Sequence, residues 1–289
     1  MSAPGMRTMP VMTQALTTTG SPGSLSGTVA FITGAGSGMG AAFARRLAAD
    51  GAHVVVTDIN GEGAATVAAE IAGEAITLDV VDSAAFDAAI DATVARHGRL
   101  DIVVNNAGIA PPSDATKTQQ MIENQIARME GRMSDLVPSN TTIELSDADW
   151  DRMIKVHLYG TFHGIRAALR HMTPARTGSI VNISSVLGLR PMAGPLHYAA
   201  AKAGIIALTK SIGQEVAAFG VRVNAVCPGW VDTPLLHQMD PIVMGAIVAQ
   251  VPAGRMAQPE ELAELVRFLA GPESSYCNGD VFSSSGGVS

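Results

Sequence analysis

Tyr198 and Lys202 stand four residues apart in the run Tyr198-Ala-Ala-Ala-Lys202, a spacing that sets a phenol and an ammonium one turn apart on one face of a helix. A phenol of pKa near 10 is a poor base at neutral pH. Lowering that value by ~3 units takes ~4 kcal/mol of preferential stabilisation of the phenolate, which positive charge in a desolvated cleft can supply. Tyr198 is then a candidate acid/base for a substrate oxygen. Thirteen residues earlier, Ser185 follows the strand-like run Ser179 to Ser184 and offers a hydroxyl. Ser184 competes with it, because alternation along a strand points only one of the two into a cleft.

A second group of residues fits a dinucleotide. Thr33-Gly-Ala-Gly-Ser-Gly-Met-Gly40 lies between a strand-like run and a helix-like run. Glycines there let the backbone approach a pyrophosphate, whose charge the helix N-terminus favours. Met39 breaks the G-x-G-x-x-G spacing and leaves T-G-x-x-x-G-x-G on Gly34, Gly38 and Gly40. Asp58 closes the second strand-like run, 18 residues after Gly40, and no Arg or Lys stands in Ile59-Asn60-Gly61-Glu62. A carboxylate at that place accepts hydrogen bonds from an adenosine ribose and repels a 2′-phosphate, which favours NAD over NADP. An oxidised nicotinamide is the second positive charge available to the phenolate, and hydride transfer to or from it is the matching chemistry.

The elements that position these residues alternate along the chain. Strand-like runs at Thr28–Thr33, His53–Thr57, Ala75–Val80 and Leu100–Asn105 are separated by helix-like runs at Met39–Ala49, Gly63–Ile71 and Ser83–Arg96. A long helix from about Asp147 to Met172 follows, then the strand Ser179–Ser184 and a helix over Leu196–Ala218. The strand Arg222–Cys227, a helix over Pro259–Leu269 and a short strand at Val281-Phe282 complete the series. Short β-branched runs each followed by a helix predict parallel strands with right-handed crossovers. The expected fold is therefore α/β: one doubly wound, Rossmann-type domain with a mostly parallel seven-stranded sheet.

Composition agrees. In 289 residues, 47% are hydrophobic and 16% charged, enough apolar surface for a large core. A net charge of −7 opposes nucleic-acid binding, which needs a basic surface. The apolar runs are too short to span a bilayer. Cys227 and Cys277 have neither metal-ligand nor disulfide-framework spacing, as expected of a reducing, cytoplasmic setting. Residues 1–26, rich in Ser, Thr, Gly, Pro and Met, read as a flexible tail or an arm onto a neighbouring subunit, without a secretory signal. The domain is expected over 27–289.

Thr33–Gly40, Asn105-Asn-Ala-Gly108, Ser185, Tyr198-Ala-Ala-Ala-Lys202 and Pro228-Gly229, in this order, resemble the short-chain dehydrogenase/reductase family over roughly residues 27–289. The resemblance implies a catalytic set of Ser185, Tyr198 and Lys202. Ser185 rather than Ser184 has the family's spacing for the serine that hydrogen-bonds the substrate carbonyl, and Lys202 would also hold the nicotinamide ribose. The implied cofactor contacts are Gly34, Ser37, Gly38, Met39, Gly40, Asp58 and Ile59, then Asp79 and Val80 at the adenine. Asn106, Ala107 and Gly108 fall against the adenosine side, and Pro228, Gly229, Val231 and Thr233 near the nicotinamide. Two departures stand out. His157 replaces the family's asparagine in the long helix, either preserving a proton relay behind the lysine or packing in a helix kink. Ser283-Ser-Ser-Gly-Gly287 lacks the family's aspartate before the paired glycines, a subunit-contact detail.

About 40 residues separate Gly108 from the helix containing Trp150, more than the family often has, so an insertion is expected over about 111–145. Met121, Ile122, Ile126, Met129 and Met133 recur there at helical spacing. An adaptable apolar helix of this kind could be a lid or pocket wall, a subunit contact or a surface decoration. Leu187 and Met192 after Ser185, and Leu235 and Met239 after Thr233, are expected to line a pocket for a hydrophobic secondary alcohol or ketone. Helices apolar on more than one face imply, through the family resemblance, a homotetramer or else a dimer. The leading expectation is an NAD-dependent alcohol dehydrogenase or ketone reductase. The alternatives are an NADPH-dependent 3-oxoacyl thioester reductase and a catalytically silent dinucleotide-binding sensor or scaffold, the latter opposed by the intact Ser185, Tyr198 and Lys202.

Overall fold

The computed structural model describes residues 25–111, 115–234, 236, 244–245 and 248–288. Strand β1 (Val29–Thr33) is buried along its whole length, as are the inner residues of β2 (His53–Asp58) and all of β4 (Ile102–Asn105). Strands β3 (Glu74–Thr77), β5 (Gly178–Ile183), β6 (Val221–Pro228) and β7 (Val281–Ser284) complete one sheet of order β3-β2-β1-β4-β5-β6-β7. Every neighbouring pair is parallel, so the sheet is wholly rather than mostly parallel.

The pleat divides the core in two. Ala30, Ile32, Val54, Val56, Ile102 and Val104 pack to one face with α1 (Gly38–Ala49), α2 (Gly61–Glu70) and, at the C-terminal end, Pro259–Ala270. Phe31, Val55 and Val103 pack to the other with α3 (Ser83–His97) and the helix Gly160–Ala175. This is the period of two that a doubly covered sheet requires. Local signals set the helix ends. Asp82 caps α3, accepting from Ala84 and Ala85 N–H at 3.0 Å each, and Gly98 ends it at φ 73° in the left-handed region.

The single long helix expected over 147–172 is broken. Helix Asp147–Ile154 runs into a π-helical turn, Lys155–Tyr159, before Gly160–Ala175 continues. Periodicity sees a continuing buried stripe and does not register one extra residue in a turn. Such bulges mark functional sites more often than ordinary helix. Strand β3 ends three residues before the expected Val80, because Asp79 accepts from Val81 N–H at 3.0 Å and turns the chain. Leu25, assigned by composition to the tail, is instead in the core and donates to Asp50 O at 2.9 Å. The 111–145 segment carries the helix α4 (Ala115–Met129) and two short helical turns, Met133–Asp135 and Thr141–Glu144. Asn124 fastens it by donating to Val137 O at 2.6 Å and accepting from Val137 N–H at 3.0 Å. No helix among the described residues is long and apolar enough to cross a membrane.

Candidate active site

Strands β1 and β4 lie side by side at the point where the strand order reverses, and their carboxyl ends open the crevice where ligands bind in such sheets. Thr33 ties the two together, accepting from Asn106 N–H at 3.0 Å and Ala107 N–H at 3.1 Å. The Asn106 amide donates to Thr33 O at 3.0 Å and Gly34 O at 2.9 Å. Asn106 therefore holds the glycine turn in place instead of offering its amide N–H to a ligand. Gly34 sits at φ 62°, and a Cβ there would lie 2.7 Å from Ala107 Cα; only glycine fits.

The turn delivers the start of α1 bare. Ser37 is its N-cap residue without a capping side-chain bond, and no acidic residue stands in the first turn. That leaves N–H groups and the positive end of the helix dipole for an anion. Asp58 meets the same loop. One of its oxygens accepts from Gly36 N–H at 2.9 Å and the other from Asn60 N–H at 2.9 Å. Beside it Ile59 is exposed and carries no charge. The uncapped helix end and the tight glycine cradle fit the pyrophosphate of a nicotinamide dinucleotide.

The other expected cofactor positions divide. Val80 is buried, and its carbonyl hydrogen-bonds His163 Nδ1 at 2.9 Å, so a residue that spacing did not single out positions the loop after β3. Asp79 stays exposed. Pro228 ends β6, Gly229 donates to Ser284 O at 2.9 Å, and Val231 bridges to Ala257. Thr233 closes over the glycine loop, 3.7 Å from where a Gly38 Cβ would lie. Met39 and Ala107 pack against the two core clusters.

The helix Leu196–Val216 carries the phenol and ammonium on one face. Lys202 Nζ lies 5.5 Å from the Tyr198 ring centroid and donates to Ile183 O at 2.8 Å. Only 4% of Lys202 is exposed, and burial brings its pKa down to about 7. Burial pushes the Tyr198 phenol up, partly offset by a hydrogen bond with Ser185. The ammonium alone thus does not acidify this phenol; the phenolate needs further positive charge. The two serines separate cleanly. Ser184 turns inward and donates to Lys202 O at 2.8 Å, whereas Ser185 meets Tyr198 and accepts from Leu187 N–H at 3.1 Å.

His157 lies in the π-turn, 2% exposed, its ring edge-on to Tyr198 with centroids 5.2 Å apart. Its Nε2 is 3.1 Å from Ile109 N and 3.0 Å from Ile109 O, so either tautomer makes one of these bonds. Nδ1 has no protein partner among the described residues. Burial first, then the Lys202 charge, brings its pKa down to about 3, and the ring is neutral. Behind it a buried amide chain crosses the sheet: Asn105 donates to Asn182 at 2.8 Å and Asn182 to Thr209 at 2.9 Å. Spacing did not reveal this chain, because its members are 77 and 27 residues apart in sequence.

Of the expected substrate residues, Leu187 is half-buried and Met192 exposed beside Ser185, while Leu235 and Met239 lie outside the described residues. On the apolar stripe of α4, Ile122 is half-buried, while Ile126 is 46% and Met129 81% exposed among the described residues.

A family model described as short chain dehydrogenase matches residues 28–241. The chain is 40% identical to the cis-4-hydroxycyclohexanecarboxylate dehydrogenase of Sinomonas cyclohexanicum, over 90% of this chain and 95% of that protein. It is 35% identical to the 3-oxoacyl-[acyl-carrier-protein] reductase of Thermotoga maritima, over 91% of this chain and 98% of the relative. The corresponding reductase of Escherichia coli is 34% identical over 91% and 97%. The fold, the glycine loop and the Ser185–Tyr198–Lys202 cluster define a nicotinamide-dinucleotide oxidoreductase acting on CH–OH groups. The chain belongs to the short-chain dehydrogenase family.

Proposed function

We propose that this protein interconverts a hydrophobic secondary alcohol and its ketone with NAD(H), using Tyr198 as the general acid/base. The observation that carries the reading is the meeting of Ser185 with the Tyr198 phenol above the buried Lys202. The bound dinucleotide supplies the hydride acceptor or donor. Ser185 orients the substrate oxygen, Tyr198 gives it or takes from it a proton, and Lys202 holds the ribose side and contributes charge. The neutral His157 ring fixes Ile109 and the turn beside the phenol rather than carrying charge itself. Asp58 supports NAD, since a carboxylate after β2 repels a 2′-phosphate and no Arg or Lys follows it in Ile59-Asn60-Gly61-Glu62.

A second reading, an NADPH-linked 3-oxoacyl thioester reductase, is favoured by the names of the reductase relatives and is supported by them at least as well as the first. The higher identity to an alicyclic alcohol dehydrogenase and the Asp58 environment favour the first. The exposed Tyr159 and Phe162, lining an apolar hollow of about 400 Å³ with Leu158, Gly204, Ala207 and Leu208, support a homotetramer built on these helices. Steady-state rates with NAD+ and NADP+ over cyclic alcohols, and with NADH and NADPH over a 3-oxoacyl thioester, decide the matter. We expect NAD+ with the alcohols to give the higher kcat/KM, and Asp58→Ala to lower kcat/KM for NAD+ by about 10- to 100-fold. A clear preference for NADPH and the thioester would replace the first reading with the second.

A further inference from the structure

The opposite edge of the sheet carries a cluster that the oxidoreductase chemistry does not use. His53 opens β2, Glu74 opens β3 and His97 ends α3, so three elements bring two imidazoles and a carboxylate together. His53 Nε2 lies 3.3 Å and His97 Nε2 2.8 Å from Glu74 Oε1, and the three candidate ligand atoms are all within 4.8 Å of one another. The two rings lean together at a centroid distance of 4.4 Å.

These are not ordinary ion pairs. His171 Nε2 meets Asp91 Oδ1 at 2.7 Å with hydrogen-bond geometry. His97 approaches Glu74 almost as closely, yet neither its Nε2 nor that of His53 makes a hydrogen bond, although both atoms are sealed from solvent. Arg96 occupies the other carboxylate oxygen, Oε2, at 2.6 Å and turns Oε1 toward the rings. Four bonds of about 2.0–2.1 Å around a tetrahedral zinc ion place its ligand atoms about 3.3 Å apart; the His53–Glu74 separation is 3.3 Å and all three candidate atoms lie within 4.8 Å.

We propose that His53, Glu74 and His97 form a site for a divalent transition metal of the zinc type, with water completing the coordination. Two imidazoles and one carboxylate are the ligand set that suits such an ion rather than Mg2+ or Ca2+. The Arg96 contact is the kind of outer hydrogen bond that orients a ligating carboxylate. The ion would staple β2 and β3 to the end of α3. His53 and Asp58 occupy opposite ends of β2, about 16 Å apart at 3.3 Å per residue, so binding is structural and separate from the dinucleotide.

The test uses the full chain stripped with a chelator and titrated with Zn2+, or with Co2+ as a spectroscopic probe. Zn2+ at a free concentration a hundredfold above Kd raises the melting temperature by about 5 °C, and Co2+ develops the intense visible bands of tetrahedral coordination. His53→Asn, His97→Asn and Glu74→Gln each weaken Zn2+ binding by about 100-fold or more, while His171→Asn leaves it unchanged. An octahedral Co2+ spectrum in the wild-type chain overturns the proposal whatever the variants do. So does a zinc response that survives the three substitutions, or the absence of any response.

Discussion

The two ends of the sheet treat buried charge in opposite ways. At the amino ends of the strands the carboxylates Asp101 and Asp50 have guanidinium partners, while Arg222, at the start of β6, is held by the oxygens of Gly271 and Ser274. Arg99 grips Asp101 with two bonds of 2.8 and 2.7 Å, and Asp101 in turn accepts from Val29 N–H at 2.8 Å. Asp50 pairs with both Arg46 and Arg267, and Arg267 also holds Glu273. At the carboxyl ends, Tyr198, Lys202 and His157 are buried without an opposite charge among the described residues, and burial dominates each of their pKa shifts. Compensated burial leaves groups in their ordinary ionisation states. Uncompensated burial favours the neutral forms of Lys202, His157 and Tyr198, so a phenolate at Tyr198 needs positive charge brought by a bound cofactor. The His53–Glu74–His97 cluster is the exception at the amino end, being rich in lone pairs but poor in hydrogen bonds.

The sharpest way to break this contrast is to remove the phenolic oxygen. Tyr198→Phe should lower kcat by 10²–10⁴-fold while the dissociation constant for the dinucleotide, read by fluorescence titration, changes little. Full activity in this variant would end the assignment. Next comes the adjacent serine pair, which one residue assigns to different tasks. Ser185→Ala should lower kcat about 100-fold, whereas Ser184→Ala should leave kcat intact and cost about 1 kcal/mol of stability.

Lys202→Met tests whether the active end is held at a cost in stability. Folding lowers the pKa of this lysine from 10.5 to about 7, so the charged form is disfavoured in the native state. That penalty is fully present below pH 7 and is relieved as pH rises from 7 to 10.5. The inactive methionine variant should therefore melt higher than wild type at pH 6, with the gain shrinking at pH 9. The smallest effect concerns His157, whose folded pKa of about 3 lies below the ordinary 6.5. Its neutral form contributes stability above pH 6.5 that is lost as pH falls toward 3, with about one proton taken up on unfolding. Urea titrations across that window should show His157→Asn with a shallower acid loss than wild type. Equal slopes would mean that the ring is solvated.

Much of this architecture is legible in the chain because its determinants are local. Val54-Val55-Val56 and Ile102-Val103-Val104 are apolar on both faces, which only a doubly covered parallel strand tolerates. Tyr198 and Lys202 share a helix face because four residues make about one turn. The serine assignment rested on resemblance, and the side-chain directions that separate Ser184 from Ser185 came only with packing. The π-turn at Lys155–Tyr159 was hidden, since one added residue leaves an apolar stripe almost unchanged. Asn106 read as a ligand contact; its amide N–H groups are instead used to hold the Gly34 turn.

What sequence alone determined is therefore the order of elements, the glycine turn, the acidic residue after β2 and the phenol–ammonium pair. Each follows from residue types at short spacing and needs no knowledge of neighbours across the sheet. Only the tertiary structure decided which groups are buried without counter-charge, that His157 is neutral beside Tyr198, and that His53, Glu74 and His97 converge. Proton affinity and metal affinity depend on solvent exclusion and on atoms brought together from distant parts of the chain, and spacing along a sequence encodes neither.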